Sequence, residues 1–105
     1  MQAIAKLTLP PEVTLASAAG VAQGLKAMLS AGLGDSAGVV VDASRLTGFD
    51  SSALAVLLEC RRQALAGGKR FSVHGLPARL RQLAGLYGVA ELLPAASEAG
   101  MPAGV

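Results

Sequence analysis

Three consecutive valines, Val39, Val40 and Val41, stand between Gly38 and Asp42, and no other stretch restricts the fold of this chain as much. β-Branched side chains are stiff at χ1 and suit extended backbone. A run without polar alternation offers no face to water, so the strand expected here is covered on both sides, as in a parallel or mixed sheet. Parallel neighbours need long crossover connections, usually helical. Such segments flank the valines on either side.

Residues 15–30 place Val21, Leu25, Met28 and Leu29 at i, i+4, i+7 and i+8, the spacing of one helical face. Residues 51–66 place Leu54, Leu57, Leu58 and Leu65 on another, with Arg61 on the same stripe and Glu59, Arg62 and Gln63 turned away. Gly67 and Gly68 then stop that helix. A third helix opens near Pro77, buries Leu80, Leu83, Ala84 and Tyr87, turns Arg79 and Gln82 outward, and stops at Gly88. Strands are expected at 3–9, with Ile4, Leu7 and Leu9 inward, and at 70–75, "RFSVHG". The pair Pro10–Pro11 breaks the first of them, because proline has no amide to donate. "VAELLP" adds a short last element, and 95–105 reads as a flexible tail. The order is βαβαβα, an α/β fold with right-handed crossovers between its later strands.

At 105 residues the chain forms one domain, expected over 1–94, with one modest core. Only 3% of its residues are aromatic against 52% hydrophobic, so that core is built from Ala, Leu and Val. No apolar run reaches the roughly 20 residues of a membrane helix, and the opening "MQAIAKLTLPPEV" lacks the pattern of a secretion signal. A cytoplasmic protein is expected. Cys60 and His74 are each the only residue of their type, which rules out an internal disulfide and favours a structural histidine. Six basic residues, Arg61, Arg62, Lys69, Arg70, Arg79 and Arg81, fall within 61–81. Without aromatic side chains among them to stack on bases, they read as solvated helix faces rather than a nucleic-acid site.

The chain has neither GxGxxG nor GxxxxGK[ST], and its seven acids are scattered. No metal or cofactor signature follows, and an enzyme is not expected. What remains is the junction "VVVDASRLTGFDSSAL", which leaves a strand at its carboxyl end, where α/β folds place their sites. Asp50, Ser51 and Ser52 open the next helix. Any one of them would serve as an N-cap, and three exceed that need. A phosphoryl group on either serine would meet the positive end of the helix dipole and add about −1.5 to −2 charges. Capping and partner contact both remain open from chemistry alone.

Residues 39–94 resemble the STAS domain family, the sulfate transporters and anti-sigma factor antagonists. The resemblance rests on a hydrophobic strand ending in Asp42, the helix opening "DSSAL" at 50–54, the Gly67–Gly68 turn, the strand Phe71 to His74 and the helix Leu80 to Tyr87. It implies a STAS-like fold, a mixed four- to five-stranded sheet with helices packed on it, though few residues precede Pro10 to supply the family's opening hairpin. Among the antagonists it implies a phosphorylatable serine matching Ser52, with Ser51 beside it, under the control of an anti-sigma factor kinase. Ala53 stands where those proteins carry Gly, a methyl at an expected close-approach surface. The ending "LAGLYGVAELLP" is more similar to the stand-alone STAS subunit of Mla-type phospholipid-transport ABC systems. That branch implies a non-catalytic subunit, without cofactor, that docks on the transporter ATPase and through it on a permease. Its contact residues would be Thr47, Gly48, Phe49, Asp50, Ser51, Ser52 and Ala53.

Overall fold

A computed structural model describes residues 3–32 and 36–95, with side chains described for 5–27 and 38–95. The valine run is the middle of β3 (Ser36–Asp42), which lies between β1 (Ala3–Thr8) and β5 (Arg70–His74) in a three-stranded sheet. Both pairings are parallel, with Thr8 opposite Asp42 and Asp42 opposite His74. The crossovers are α1 (Ala18–Gly32) and α2 (Ser52–Ala66), and α3 (Ala78–Leu86) follows β5. A 3-10 turn, Ala90–Leu92, completes the order. This is the α/β arrangement expected, with its strands divided between two sheets.

Side chains alternate across a strand, and the two faces of this sheet differ. Leu7, Val39, Val41, Phe71 and Val73 join Leu25 of α1 and Leu54, Val56, Leu57, Cys60 and Ala64 of α2 in one core. Val40 is also buried, as the unbroken valine run requires, but it lies outside that core. Its alternate neighbour Asp42 shares the second face. α1 lies against β1 and α2, α2 against β3 and β5, and α3 against α2.

Two helical stripes each miss their last expected member. Leu65 is 47% exposed and Tyr87 58% exposed. In α2 the expected Leu54 and Leu57 are buried and Leu58 packs against the core, and the buried line continues through Cys60 to Ala64 rather than Leu65, with Ala53 and Val56 beside it. In α3 the buried line ends at Ala84, and Tyr87 follows the last helical residue. Arg61 is half-buried on α2, as its stripe position predicts. Met28, Leu29 and Ile4 lie outside the described side chains.

α1 begins at Ala18, three residues later than the periodicity predicts. Thr14 and Ser17 form a turn of their own: the Ser17 hydroxyl accepts the Thr14 amide at 3.0 Å, and the Thr14 carbonyl accepts the Ser17 amide at 3.0 Å and the Ala18 amide at 2.8 Å. Leu15 is left outside the helix.

The prolines also do more than break a strand. β2 (Glu12–Val13) pairs in parallel with β4 (Gly48–Phe49), forming a second, two-stranded sheet. The Pro11 carbonyl accepts the amides of Thr47 at 2.8 Å and Gly48 at 3.0 Å. A proline cannot donate, yet its carbonyl is a full acceptor. The two strands before α1 thus pair with different partners rather than forming a hairpin with each other. Ala95, the first residue of the expected tail, bridges Val73, and the Pro94 carbonyl accepts the Val73 amide at 2.8 Å. Residues 96–105 lie outside the described residues.

Candidate interaction site

The loops that follow β1, β3 and β5 lie at the carboxyl end of the parallel sheet. Asp42, the last residue of β3, is 9% exposed, and its Oδ1 accepts the Ser44 hydroxyl at 2.6 Å and the Ser44 amide at 2.9 Å. Lys6 reaches Oδ2 at 3.5 Å. The Ser44 hydroxyl above all, against the opposing effect of burial, holds the Asp42 carboxyl below the usual carboxylate range, with the Ser44 amide and Lys6 adding to it. This cluster fixes where the loop leaves the sheet.

Because its folded pKa lies below the ordinary value of 3.8, Asp42 contributes stability that is complete above that value and lost as pH falls through the folded one. Thermal melts of the native chain are expected to lose stability below about pH 4, and an Asp42→Asn variant to lose less over the same interval. Equal losses would show that Asp42 is not held as described.

The loop then reaches residues 47–52, which the structure brings together with residues 11–15. Thr47 is exposed and its hydroxyl also donates to the Pro11 carbonyl, at 3.3 Å. Gly48 and Phe49 are half-buried in β4, with the Phe49 ring against the core. Asp50 is exposed and both of its oxygens are used: Oδ1 accepts the Ser52 amide at 2.8 Å, and Oδ2 accepts the Leu15 amide at 3.0 Å. The Leu15 amide foremost, then the Ser52 amide and hydroxyl, hold the Asp50 carboxyl below its ordinary range.

The cap of α2 is therefore divided. Ser51 occupies the N-cap position with helical φ and ψ and forms no side-chain cap bond. The carboxylate one residue earlier satisfies the orphan amide and adds negative charge at the positive end of the helix. Ser51 is exposed and Ser52 half-buried. Ala53 is fully buried, and its methyl belongs to the core. This corrects its expected place at a close-approach surface, since a residue one step past Ser52 has turned inward to the sheet.

The remaining candidates fall elsewhere. The six basic residues spread over α2, β5, α3 and the turn before β5, and Arg62 donates to Glu59 through both Nε and Nη2. Arg62, helped by Gln63, brings the Glu59 carboxyl down to about 2. Cys60 is buried, and burial pushes its thiol up to about 11, a structural rather than reactive thiol. Among the described residues no three His, Cys, Asp or Glu side chains gather as a metal site. Nor is any described helix long and apolar enough to cross a membrane.

Sequence reasoning missed Pro11 and Leu15 as parts of this face. The pattern Thr14-x-x-Ser17 was the available signal for Leu15, because it marks a turn that closes before the helix starts.

A family model described as "Mlab, STAS domain" matches residues 2–94. The chain belongs to the STAS domain family. Two solved structures share its fold. A sulfate transporter family protein from Wolinella succinogenes superposes with a TM-score of 0.68 at 18% identity, over 93% of this chain and 75% of that one. The anti-sigma factor antagonist SpoIIAA in its unphosphorylated form superposes with a TM-score of 0.70 at 16% identity, over 94% of this chain and 84% of that one. No curated protein sequence matches the chain. In this STAS domain the start of α2 and the β2–β4 pair are bonded to the 11–15 segment through Asp50, Thr47 and Gly48.

Proposed function

We propose that this STAS domain is a non-catalytic cytoplasmic subunit of an Mla-type phospholipid-transport ABC complex, at work in outer-membrane lipid asymmetry. It binds the transporter ATPase through Thr47–Ser52, reaches the permease only through that ATPase, and supports assembly or activity of the complex at the inner membrane. The match of a family model described as "Mlab, STAS domain" over residues 2–94 carries this reading. Residues 1–94 are its working domain, and no cofactor takes part. The geometry agrees with docking: Thr47, Asp50 and Ser51 are exposed on a frame whose backbone bonds are already satisfied, so little order is lost when a partner binds.

Co-purification tests it. The full chain is expected to bring down an ABC ATPase and permease, and Ser51→Arg to lose them while the fold persists, because Ser51 is exposed and makes no cap bond. Full assembly by Ser51→Arg and Ser52→Glu chains would sink the reading.

A second reading has a specific observation in its favour. The uncommitted Ser51 position and the Ser52 hydroxyl beside Asp50 would suit an anti-sigma factor antagonist switched by serine phosphorylation. A phosphoryl group there would repel the Asp50 carboxylate and loosen its hold on Leu15. Phosphate incorporated by a partner kinase into the native chain, but not into Ser52→Ala, would favour it over ATPase docking.

A further inference from the structure

Leu15 is 81% exposed, more than any other large hydrophobic side chain among the described residues. Single exposed leucines are ordinary on protein surfaces. This one differs in how it is held. Its amide is bound to Asp50 Oδ2 at 3.0 Å, and the Thr14–Ser17 turn closes around it with backbone and hydroxyl bonds. Turn positions favour Gly, Pro, Asn, Asp and Ser for conformational reasons, and none of those reasons calls for leucine. At 81% exposure its side chain adds little to the core. On the same face Pro11 and Ala16 are exposed and apolar like Leu15, while Thr47, Asp50 and Ser51, on the loop that Leu15 is bonded to, are exposed and polar. An apolar centre with a polar rim is the anatomy of a specific protein interface.

We infer that Leu15 is the apolar anchor of the docking face, seated on binding in an apolar pocket of the transporter ATPase whose rim offers hydrogen-bonding groups to Thr47 and Ser51. The inference rests on the ATPase reading above, and its occupant is argued from continuity, because Asp50 joins Leu15 to the proposed docking loop in a single bonded unit. Asp50 then has a positioning role: it sets where the leucine stands relative to the serines. The backbone around Leu15 is already fixed, so binding spends its ordering cost on the side chain alone.

The test measures the affinity of the full chain for the purified Mla-type ATPase of the same organism by titration calorimetry. Leu15→Ser is expected to weaken binding about tenfold to a hundredfold, the equivalent of one leucine no longer removed from water. Leu15→Met, which keeps apolar volume, is expected to stay within about threefold. Both are expected to melt with the native chain, because the side chain is exposed. Native affinity in Leu15→Ser, alongside lost binding in Ser51→Arg, would overturn the anchor and leave ATPase docking standing. A melting point several degrees lower in Leu15→Ser would also overturn it, by assigning the residue to the fold. A native chain that does not bind the ATPase would bring down the docking reading and the anchor together.

Discussion

Replacing Gly75 with alanine is expected to destabilise the domain by about 2–5 kcal/mol, the sum of about 1–2 for a left-handed backbone with a side chain and about 1–3 for overpacking. Gly75 has φ +69°, and an added Cβ would stand 2.7 Å from the Ser44 Cβ, 2.9 Å from its Cα and 3.1 Å from its amide nitrogen. Nothing at the flexible end of a side chain is available to move. Ser44 would have to shift, and with it the amide and hydroxyl that bind Asp42. The Ala43 amide, bonded to the His74 carbonyl at 2.8 Å, lies in the same contact. A loss of this size lowers the melting temperature of such a domain by about 10 °C or more. Gly68→Ala is the matched control, for Gly68 has φ +74° with nothing within 4 Å of an added Cβ. It is expected to cost only the backbone share, about 1–2 kcal/mol. Equal losses in the two variants would mean that the loops after β3 and β5 do not touch as described.

Leu57→Ala is expected to cost about 2–5 kcal/mol, through lost burial and the cavity left behind. Leu57 is fully buried near the middle of α2, in the core shared with β3, β5 and α1. Leu65→Ala makes the same chemical change in the same helix at a side chain 47% exposed. Its cost is expected at about 1 kcal/mol or less. Denaturant melts of the two variants separate the leucine of the expected stripe that is buried from the one that is not. Comparable losses would place Leu65 in the core after all.

That contrast shows where the sequence was informative. The valine run identified the central strand, since three adjacent β-branched residues have few other uses in an α/β chain. Glycines marked the ends of two helices, and the alternation of elements predicted the layout. Helix faces were harder to read, because Ala53, Cys60 and Ala64 carry weak hydrophobic signals individually and yet lie buried beside Leu54 and Leu57. The β2–β4 pair was illegible for another reason. Each strand is two residues long, and their pairing depends on a proline carbonyl that no pattern of side chains reveals.

The candidate site divides in the same way. Asp50, Ser51 and Ser52 were visible as a capping motif, since their residue types suit that geometry. Which residue caps, and what the second carboxylate oxygen does, depended on a contact with Leu15 across 35 positions. The expected helix took in Leu15 as its first residue, although Leu15 does not share the stripe of Val21, Leu25, Met28 and Leu29. The competing turn between Thr14 and Ser17 decided otherwise.

The bonds that assemble this face have a consequence for how the molecule is made. Asp50 meets Leu15 and Thr47 meets Pro11 across 35 and 36 positions, and both described sheets contain only parallel pairings. Contacts of such separation form late, after much chain entropy has been lost, and they slow folding relative to local ones. A fragment that lacks either the 11–15 segment or the 47–52 loop cannot form this face. A partner that recognises the two together therefore engages finished molecules and passes over incomplete ones, so that assembly itself proofreads the fold.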